Sequence, residues 1–185
     1  MLRNLLLLVI VCLFTEKGIA QETKKESEKA KTKMDVFASK TGTITRFVDY
    51  KLPALKTDYT TAETRIRKIS NGVASAWFFQ IEKEGKYSST TASIEYSDLL
   101  EVLKALKVLK ESVAADVSAN PDYMENMFTT VDGFQIGYYV NKGKATWYIK
   151  LEKYGSDNTL FFNNVDTIED AFNLGKQKTE EIKNR

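Results

Sequence analysis

Two glutamates at matching positions of two similar segments are the residues whose type and spacing could support catalysis. Glu82 lies in 77–85, Trp-Phe-Phe-Gln-Ile-Glu-Lys-Glu-Gly, and Glu152 lies in 147–155, Trp-Tyr-Ile-Lys-Leu-Glu-Lys-Tyr-Gly. Glycoside hydrolysis needs two carboxyl groups about 5–10 Å apart. Glu82 and Glu152 are therefore the candidate catalytic pair, although glutamates on strands are more often solvated residues without a catalytic role.

Composition disfavours most other catalytic chemistry. The chain has no histidine, and its single cysteine is Cys12. Nucleophilic mechanisms that use an imidazole base or a thiol therefore lack their groups in the mature chain. Zinc sites depend on the same residue types, and the acidic residues do not follow the spacing of a calcium loop. We expect no metal and no cofactor.

The two similar segments predict an internal duplication. Trp, Glu, Lys and Gly recur at the same four places, and the segments contain the only two tryptophans. A match this dense indicates two copies of one unit. Aligning 59–62 with 128–131 extends the match and leaves 35–52 as extra strands of the first copy. A duplicated strand-rich unit with a closing helix resembles, in architecture alone, the tandem-repeat saddle folds such as TATA-binding protein.

The N-terminal residues are typical of an exported protein. Residues 1–20 combine Arg3, a short apolar run and small residues before Gln21, as in a signal peptide; an uncleaved anchor is the alternative. Residues 21–33 are charged and predict a flexible linker. Without disulfide-forming cysteines or an Asn-x-Ser/Thr acceptor, the mature chain fits a secreted or periplasmic protein, most simply a bacterial one.

Alternation and helical spacing predict an α+β fold with a mainly antiparallel sheet, built from two related strand-strand-strand-helix halves with their helices on one face. The first half is 34–118 and the second is 119–185, packed as one globular domain. The first helix should begin at an N-cap Ser97 and the second at an N-cap Asp166. The predicted strands are 35–39, 43–52 (ended by Pro53), 64–69, 74–83, 88–95, 125–131, 134–140, 145–153 and 159–163.

The face opposite the helices is the candidate binding surface. Because side chains alternate along a strand, Trp77 and Trp147 should lie in the core, and their neighbours should lie on the opposite face. The predicted ligand-binding residues on that face are Phe78, Gln80, Tyr148 and Lys150. The alternative is that residues 35–52 cover this face and bury its rings. Tyrosine suits recognition surfaces but is also an ordinary strand residue; the chain has Tyr50, Tyr59, Tyr87, Tyr96, Tyr123, Tyr138, Tyr139, Tyr148 and Tyr154.

The low net charge of the chain disfavours nucleic acid as a partner. The formal net charge of the chain is +2, which is far from the basic excess typical of nucleic-acid binders. After removal of the leader, no apolar run is long enough for a membrane span. The sequence therefore predicts an exported, non-catalytic binding module whose ligand is a protein, a peptide or a glycan. The alternative is a small glycan-directed hydrolase that uses Glu82 and Glu152.

Overall fold

Eleven elements follow one another in the computed structural model, which describes residues 31–86 and 88–185. The predicted signal peptide and linker residues 21–30 lie outside the described residues. The elements are α1 (Lys33–Ala38), β1 (Arg46–Lys56), β2 (Thr61–Ser70), β3 (Ser75–Lys83), β4 (Thr90–Glu95), α2 (Tyr96–Ala119), β5 (Met124–Thr129), β6 (Gln135–Asn141), β7 (Lys144–Lys150), β8 (Thr159–Phe162) and α3 (Asp166–Lys183).

The strands form two antiparallel four-stranded sheets, so the α+β class is confirmed. The first sheet has the order β1-β2-β3-β4 and the second has the order β5-β6-β7-β8. Short hairpin connections explain why neighbours in sequence are neighbours in each sheet. The first half therefore consists of α1, four strands and α2, and the second of four strands and α3, whereas the repeated unit predicted from the sequence was three strands followed by a helix.

The pairing registers of the two sheets correspond. Trp77 lies opposite Lys68 in the first sheet, and Trp147 lies opposite Tyr138 in the second. Within the same registers, Ile66 pairs with Tyr50, whereas Ile136 pairs with Phe128. Position 128 thus corresponds to position 50, and the predicted alignment of 59–62 with 128–131 does not describe equivalent places in the two sheets.

The segment predicted as the first strand, 35–39, is mostly helix. Thr32 accepts a hydrogen bond from the backbone N–H of Asp35 and the carboxylate of Asp35 accepts one from the backbone N–H of Thr32, which is a capping box. This reciprocal capping favours a helical turn over a strand. Thr32 and Lys33, predicted as the end of the linker, therefore cap and begin α1.

Three predicted element ends also differ in the structure. Strand β1 continues through Pro53 by means of a bulge between Leu52 and Leu55, because an edge strand tolerates a residue without an N–H. The N-cap of α2 is Glu95 and that of α3 is Val165, and neither makes a side-chain cap bond. Ser97 is thus the second residue of α2, and Asp166 is the first residue of α3; neither is the N-cap.

A single core lies between the helices and one face of each sheet, which we call the inner face. Helix α2 contacts strands of both sheets, and α3, which follows the second sheet in the chain, contacts β1, β2 and β3 of the first sheet. The ring of Phe172 on α3 lies 5.2 Å from that of Phe79 and 5.8 Å from that of Phe134. Gly175 permits this approach, because a Cβ there would meet the Phe79 ring at 2.9 Å.

The two tryptophans face the same core but are covered to different extents. Trp147 is buried and packs against Tyr138 with ring centroids 4.8 Å apart. Trp77 is half-buried, and its indole Nε1 has no hydrogen-bond partner. Lys183 at the end of α3 lies over its ring, 5.2 Å from the centroid. The prediction that both tryptophans face the core is correct, but only Trp147 is fully enclosed.

Candidate binding surface

The face of each sheet turned away from α2 and α3 is its outer face. Phe79 packs against α3, so the alternating residues Phe78, Gln80 and Glu82 lie on the outer face of the first sheet. By the same argument Ile149 is in the core, and Tyr148 and Lys150 lie on the outer face of the second sheet. The predicted site residues are thus divided between two different sheets.

Gln80 is buried and engaged in internal hydrogen bonds. Its amide oxygen accepts from Arg65 Nε at 2.8 Å, and its amide nitrogen donates to Ser93 Oγ at 2.8 Å and to Met34 Sδ at 3.5 Å. A buried amide with satisfied donors and acceptors is a structural group. The surroundings of Gln80 therefore favour a structural role over the predicted contact with a ligand.

Ion pairs connect three strands on the outer face of the first sheet. Arg67 donates to both carboxylate oxygens of Asp49, at 2.7 and 2.6 Å, and Arg65 donates to Glu82 at 2.6 Å. The hydrogen bond from Arg67 holds the pKa of Asp49 below its usual value. Arg67 also lies over the ring of Phe47. The polar groups of this face are largely satisfied by one another.

Phe78 is buried on that same outer face, with only 1% of its surface exposed. Helix α1 contacts β4, the strand next to β3, and its Met34 accepts a hydrogen bond from the neighbouring Gln80. Phe78 is absent from the main core cluster, although it is as buried as the residues within it. The expectation of an exposed Phe78 is therefore wrong, but residues 35–52 do not fold over the whole outer face as the alternative predicted, because residues 46–52 belong to β1, the edge strand of the same sheet.

Two acidic groups hold α1 in this position. The backbone N–H of Lys33 donates to both carboxylate oxygens of Asp132, in the turn between β5 and β6, at 3.1 and 3.0 Å. The Lys33 ammonium donates to Asp98 at 2.6 Å. Burial raises the pKa of Asp132 above its usual value. Helix α1 is thus joined both to the first turn of α2 and to the second half.

Tyr148, on the outer face of the second sheet, is buried because its ring lies across a glycine. It pairs with Gly137 on β6 and donates from its hydroxyl to Glu125 on β5 at 2.6 Å. A β7 side chain that reaches β5 must pass over β6, and Gly137 offers no side chain there. Burial, followed by the bond to Glu125, raises the pKa of the Tyr148 hydroxyl. Lys150 is half-buried, opposite Gln135.

Exposed aromatic rings flank Tyr148 and form a row across the second sheet. The rings of Tyr123 and Tyr139 are stacked with centroids 6.2 Å apart, and Tyr139 meets Phe161 edge-on at 6.5 Å. Phe161 also lies 6.5 Å from Tyr148. Tyr123 is 59% exposed and Phe161 is 46% exposed. We call Tyr123, Tyr139, Tyr148 and Phe161 the aromatic row.

Two depressions lie at the Phe161 end of the aromatic row. One, of about 310 Å³, is lined by Tyr139 and Phe161 together with polar groups that include Asp58, Lys144, Thr146 and Asn163. The other, of about 470 Å³, is lined by Phe161 and by residues of the turns after β1, β3 and β7. The exposed Tyr59 borders both. The row therefore continues into a concave, mixed surface.

The candidate catalytic pair is placed on separate elements. Glu82 is on β3 and pairs with Arg65, whereas Glu152 follows the end of β7, where its backbone carbonyl accepts from Asn158 at 2.9 Å. Neither residue lines either of the two depressions at the aromatic row. The two depressions beside the aromatic row therefore do not bring the glutamate pair together.

Sequence reasoning missed part of the aromatic row. The strand pattern singles out Tyr148, which is the buried member, but it does not separate Tyr123 and Tyr139 from the other tyrosines and does not single out Phe161. One signal was present: Gly137 in a strand precedes two tyrosines, and a strand glycine often marks a close approach by another side chain. Alternation then places Tyr139 on the same face as Gly137.

Comparisons with known proteins add no assignment. No family model matches the chain, and neither a curated protein nor a solved structure matches it. Within residues 31–86 and 88–185, no three potential metal ligands of the Asp, Glu, Cys or His type are grouped to hold an ion. In the same part of the chain, no helix is long and apolar enough to cross a membrane.

Proposed function

We propose that the chain is an exported, non-catalytic binding module and that its ligand binds the outer face of the second sheet. The observation that carries this proposal is the aromatic row, in which three incompletely buried rings are adjacent on one open sheet face. Single exposed apolar side chains are common on proteins, but a contiguous group is typical of an interaction surface.

The construction of the row supports binding rather than packing alone. Tyr148 is fixed beneath the exposed rings by its hydrogen bond to Glu125, and Tyr123 also donates to Glu125, at 3.1 Å. Rings held in place before the ligand arrives lose little conformational entropy on binding. Tyrosine and phenylalanine are also enriched at the centres of interfaces. Their exposure on a rigid sheet favours a recognition surface.

The chain's composition supports the non-catalytic part of the proposal. Histidine is absent and the only cysteine lies in the predicted leader, so the usual imidazole bases and thiol nucleophiles are missing from the mature chain. Glu82, one of the two candidate carboxylates, forms an ion pair with Arg65. Both residues lie on the first sheet, whereas the aromatic row lies on the second. Nothing in the geometry favours the hydrolase alternative.

Export rests on the pattern of residues 1–20, a charged start followed by an apolar run and small residues. A segment of this kind is removed by a signal peptidase in secreted proteins. Expressed with this leader in a bacterial host, the chain should leave the cytoplasm and begin at Gln21. N-terminal sequencing of the exported product that found residues 1–20 intact would contradict this part of the proposal.

A retention experiment with matched variants tests the binding surface. The immobilised exported chain is incubated with the extracellular proteins and polysaccharides of its source. Phe161→Ala removes an exposed ring from the second sheet, and Phe47→Ala removes a ring that is 49% exposed from the outer face of the first. We expect material to be retained by the wild type and by Phe47→Ala but not by Phe161→Ala. Equal retention by all three, or retention by none, would overturn the proposal.

A further inference from the structure

We infer that the ligand of the aromatic row is an uncharged oligosaccharide, which lies along Tyr123, Tyr139 and Phe161 and enters the depressions beside Tyr59. This inference rests on the proposed function, because it names the chemical class that the same surface would bind. It follows from three properties of the surface: the arrangement of the rings, the polar groups at their edge and the balance of charge.

The rings form a platform of mixed orientation: Tyr123 and Tyr139 lie within 22° of parallel, whereas Phe161 meets Tyr139 at 85°, so the row offers ring faces and a ring edge to a ligand. A pyranose ring presents C–H groups on its faces, and these carry the partial positive charge that the negative face of an aromatic ring attracts. The row crosses the second sheet: Tyr123 precedes β5, Tyr139 is on β6 and Phe161 is on β8. Successive ring centroids along the row are 6.2 and 6.5 Å apart, so the two end rings are separated by no more than about 13 Å. A platform of that length suits several sugar units in a chain rather than one small molecule.

Polar groups stand at the edge of the platform, where sugar hydroxyls would project. Asn163 donates from its side-chain nitrogen to the carboxylate of Asp58, so an amide and a carboxylate are held side by side across a long separation in sequence. Thr146 and Lys144 line the same depression. Each hydroxyl of a sugar both donates and accepts hydrogen bonds, and this mixture of donors and acceptors suits it.

The charges around the depressions cancel. The smaller depression is lined by one acidic and one basic residue, Asp58 and Lys144, and in the larger one Lys83 is paired with Asp157. An anionic polymer would need an excess of positive charge along its path. The residues that line the two depressions include no arginine and no tryptophan, two of the three residue types that dominate the energetic centres of protein–protein interfaces. The surface therefore favours a neutral glycan over an anionic glycan or a protein.

Calorimetry with defined sugars tests the inference directly. The exported chain is titrated with cellohexaose, maltohexaose and chitohexaose as neutral probes and with a heparin hexasaccharide as the anionic probe. We expect at least one neutral hexasaccharide to bind and the heparin fragment to bind at least tenfold more weakly. Phe161→Ala and, independently, Tyr59→Ala should each raise the Kd for that neutral sugar about tenfold, which corresponds to about 1.4 kcal/mol. Phe47→Ala should leave it unchanged.

Two further readouts separate a failure of this inference from a failure of the proposed function. Material retained by the immobilised chain should survive protease digestion and be released by the neutral hexasaccharide that binds best. Protease-sensitive material that is lost with Phe161→Ala would overturn the glycan inference while leaving the binding surface in place. Preferred binding of heparin would overturn it in the same way.

The remaining alternative is that a second copy of the chain covers the aromatic row. Light scattering on the exported chain should give the mass of one chain. A dimer that Phe161→Ala dissociates would show that a second copy covers the row, and this result would overturn the glycan inference. If no material is retained and no sugar binds, both the inference and the proposed function fail.

Discussion

The outer faces of the two sheets occupy corresponding places in the two halves but differ in chemistry. On the first sheet, Asp49, Arg65, Arg67 and Glu82 satisfy one another, and α1 contacts the neighbouring β4. On the second sheet, aromatic rings stand in the open beside Tyr148. The difference teaches that a shared register sets where side chains lie but not what surrounds them: the charged groups of one face pair with one another, whereas the other face leaves aromatic rings exposed.

The largest expected difference between the faces is in the cost of removing one ring. Phe78→Ala should lower the free energy of unfolding by about 3–5 kcal/mol, because the ring is fully buried and a cavity would remain. Phe161→Ala should change it by no more than about 1 kcal/mol, because the ring is half in solvent. Urea unfolding followed by circular dichroism measures both. Equal losses would mean that the two outer faces are equally covered.

A smaller effect is expected from the hydroxyl that fixes the buried tyrosine of the row. Tyr148→Phe should lower the free energy of unfolding by about 1.5–3 kcal/mol, since a hydrogen bond to the Glu125 carboxylate is lost while the ring stays in place. Tyr154→Phe is the control, because Tyr154 is exposed in the loop after β7. If both variants unfold at the same urea concentration as the wild type, the Glu125 bond contributes nothing measurable.

The same hydroxyl predicts a dependence on alkaline pH. The pKa of Tyr148 is raised in the folded protein above its ordinary value of 10.0. The stability that this shift represents is fully present below pH 10 and is lost as the pH rises through the folded value. Several tyrosines have raised pKa values, and that of Tyr148 is raised most, so spectrophotometric titration should lose its latest phase in Tyr148→Phe. Loss of an earlier phase, with the latest one retained, would contradict the assignment.

The smallest effect on stability is expected from the ion pairs on the outer face of the first sheet, and it depends on acidic pH. Arg67 lowers the pKa of Asp49 from its ordinary 3.8 in the folded state, so this stability is present above pH 3.8 and is lost as the pH falls through the lowered value. Asp49→Asn should lower stability at neutral pH by less than about 1 kcal/mol, as for a surface ion pair. It should also flatten the acid limb of the stability curve. Asp122→Asn, in an exposed turn, should leave that limb unchanged.

Much of the fold could be predicted from periodicity, whereas α1 could not. Alternation located β2, β3, β6 and β7, and helical spacing located α2 and α3, because both signals are local. Residues 35–39 also alternate, yet a capping box at Thr32 and the bonds from Lys33 to Asp132 and Asp98 make the segment helical. The bonds from Lys33 join residues far apart in sequence, so no local pattern contains them, whereas the Thr32-x-x-Asp35 spacing of the capping box is local and was readable from the sequence.

For the candidate site, the sequence could predict only the sheet face on which each residue lies. Alternation along a strand gives that face but does not show what covers the residue. Phe78 and Phe161 are the same residue type on the corresponding outer faces, yet one is buried and the other exposed. Their difference comes from the strands and helix beside them. Tyr148 is buried because it crosses Gly137, a packing that becomes visible only when β5, β6 and β7 are in register.

Three methionines that follow the predicted leader offer the most direct test of the central claim, that the ligand occupies the outer face of the second sheet. Met127 lies on that face and is 54% exposed, Met34 lies on the outer side of the first sheet, and Met124 packs against the core. The chain is labelled with ¹³C at the methionine methyl groups and titrated with the ligand recovered from the retention experiment. The account predicts that the Met127 signal shifts while that of Met34 stays fixed. A shift of Met34 without one of Met127, or no shift of either at saturation, would contradict it.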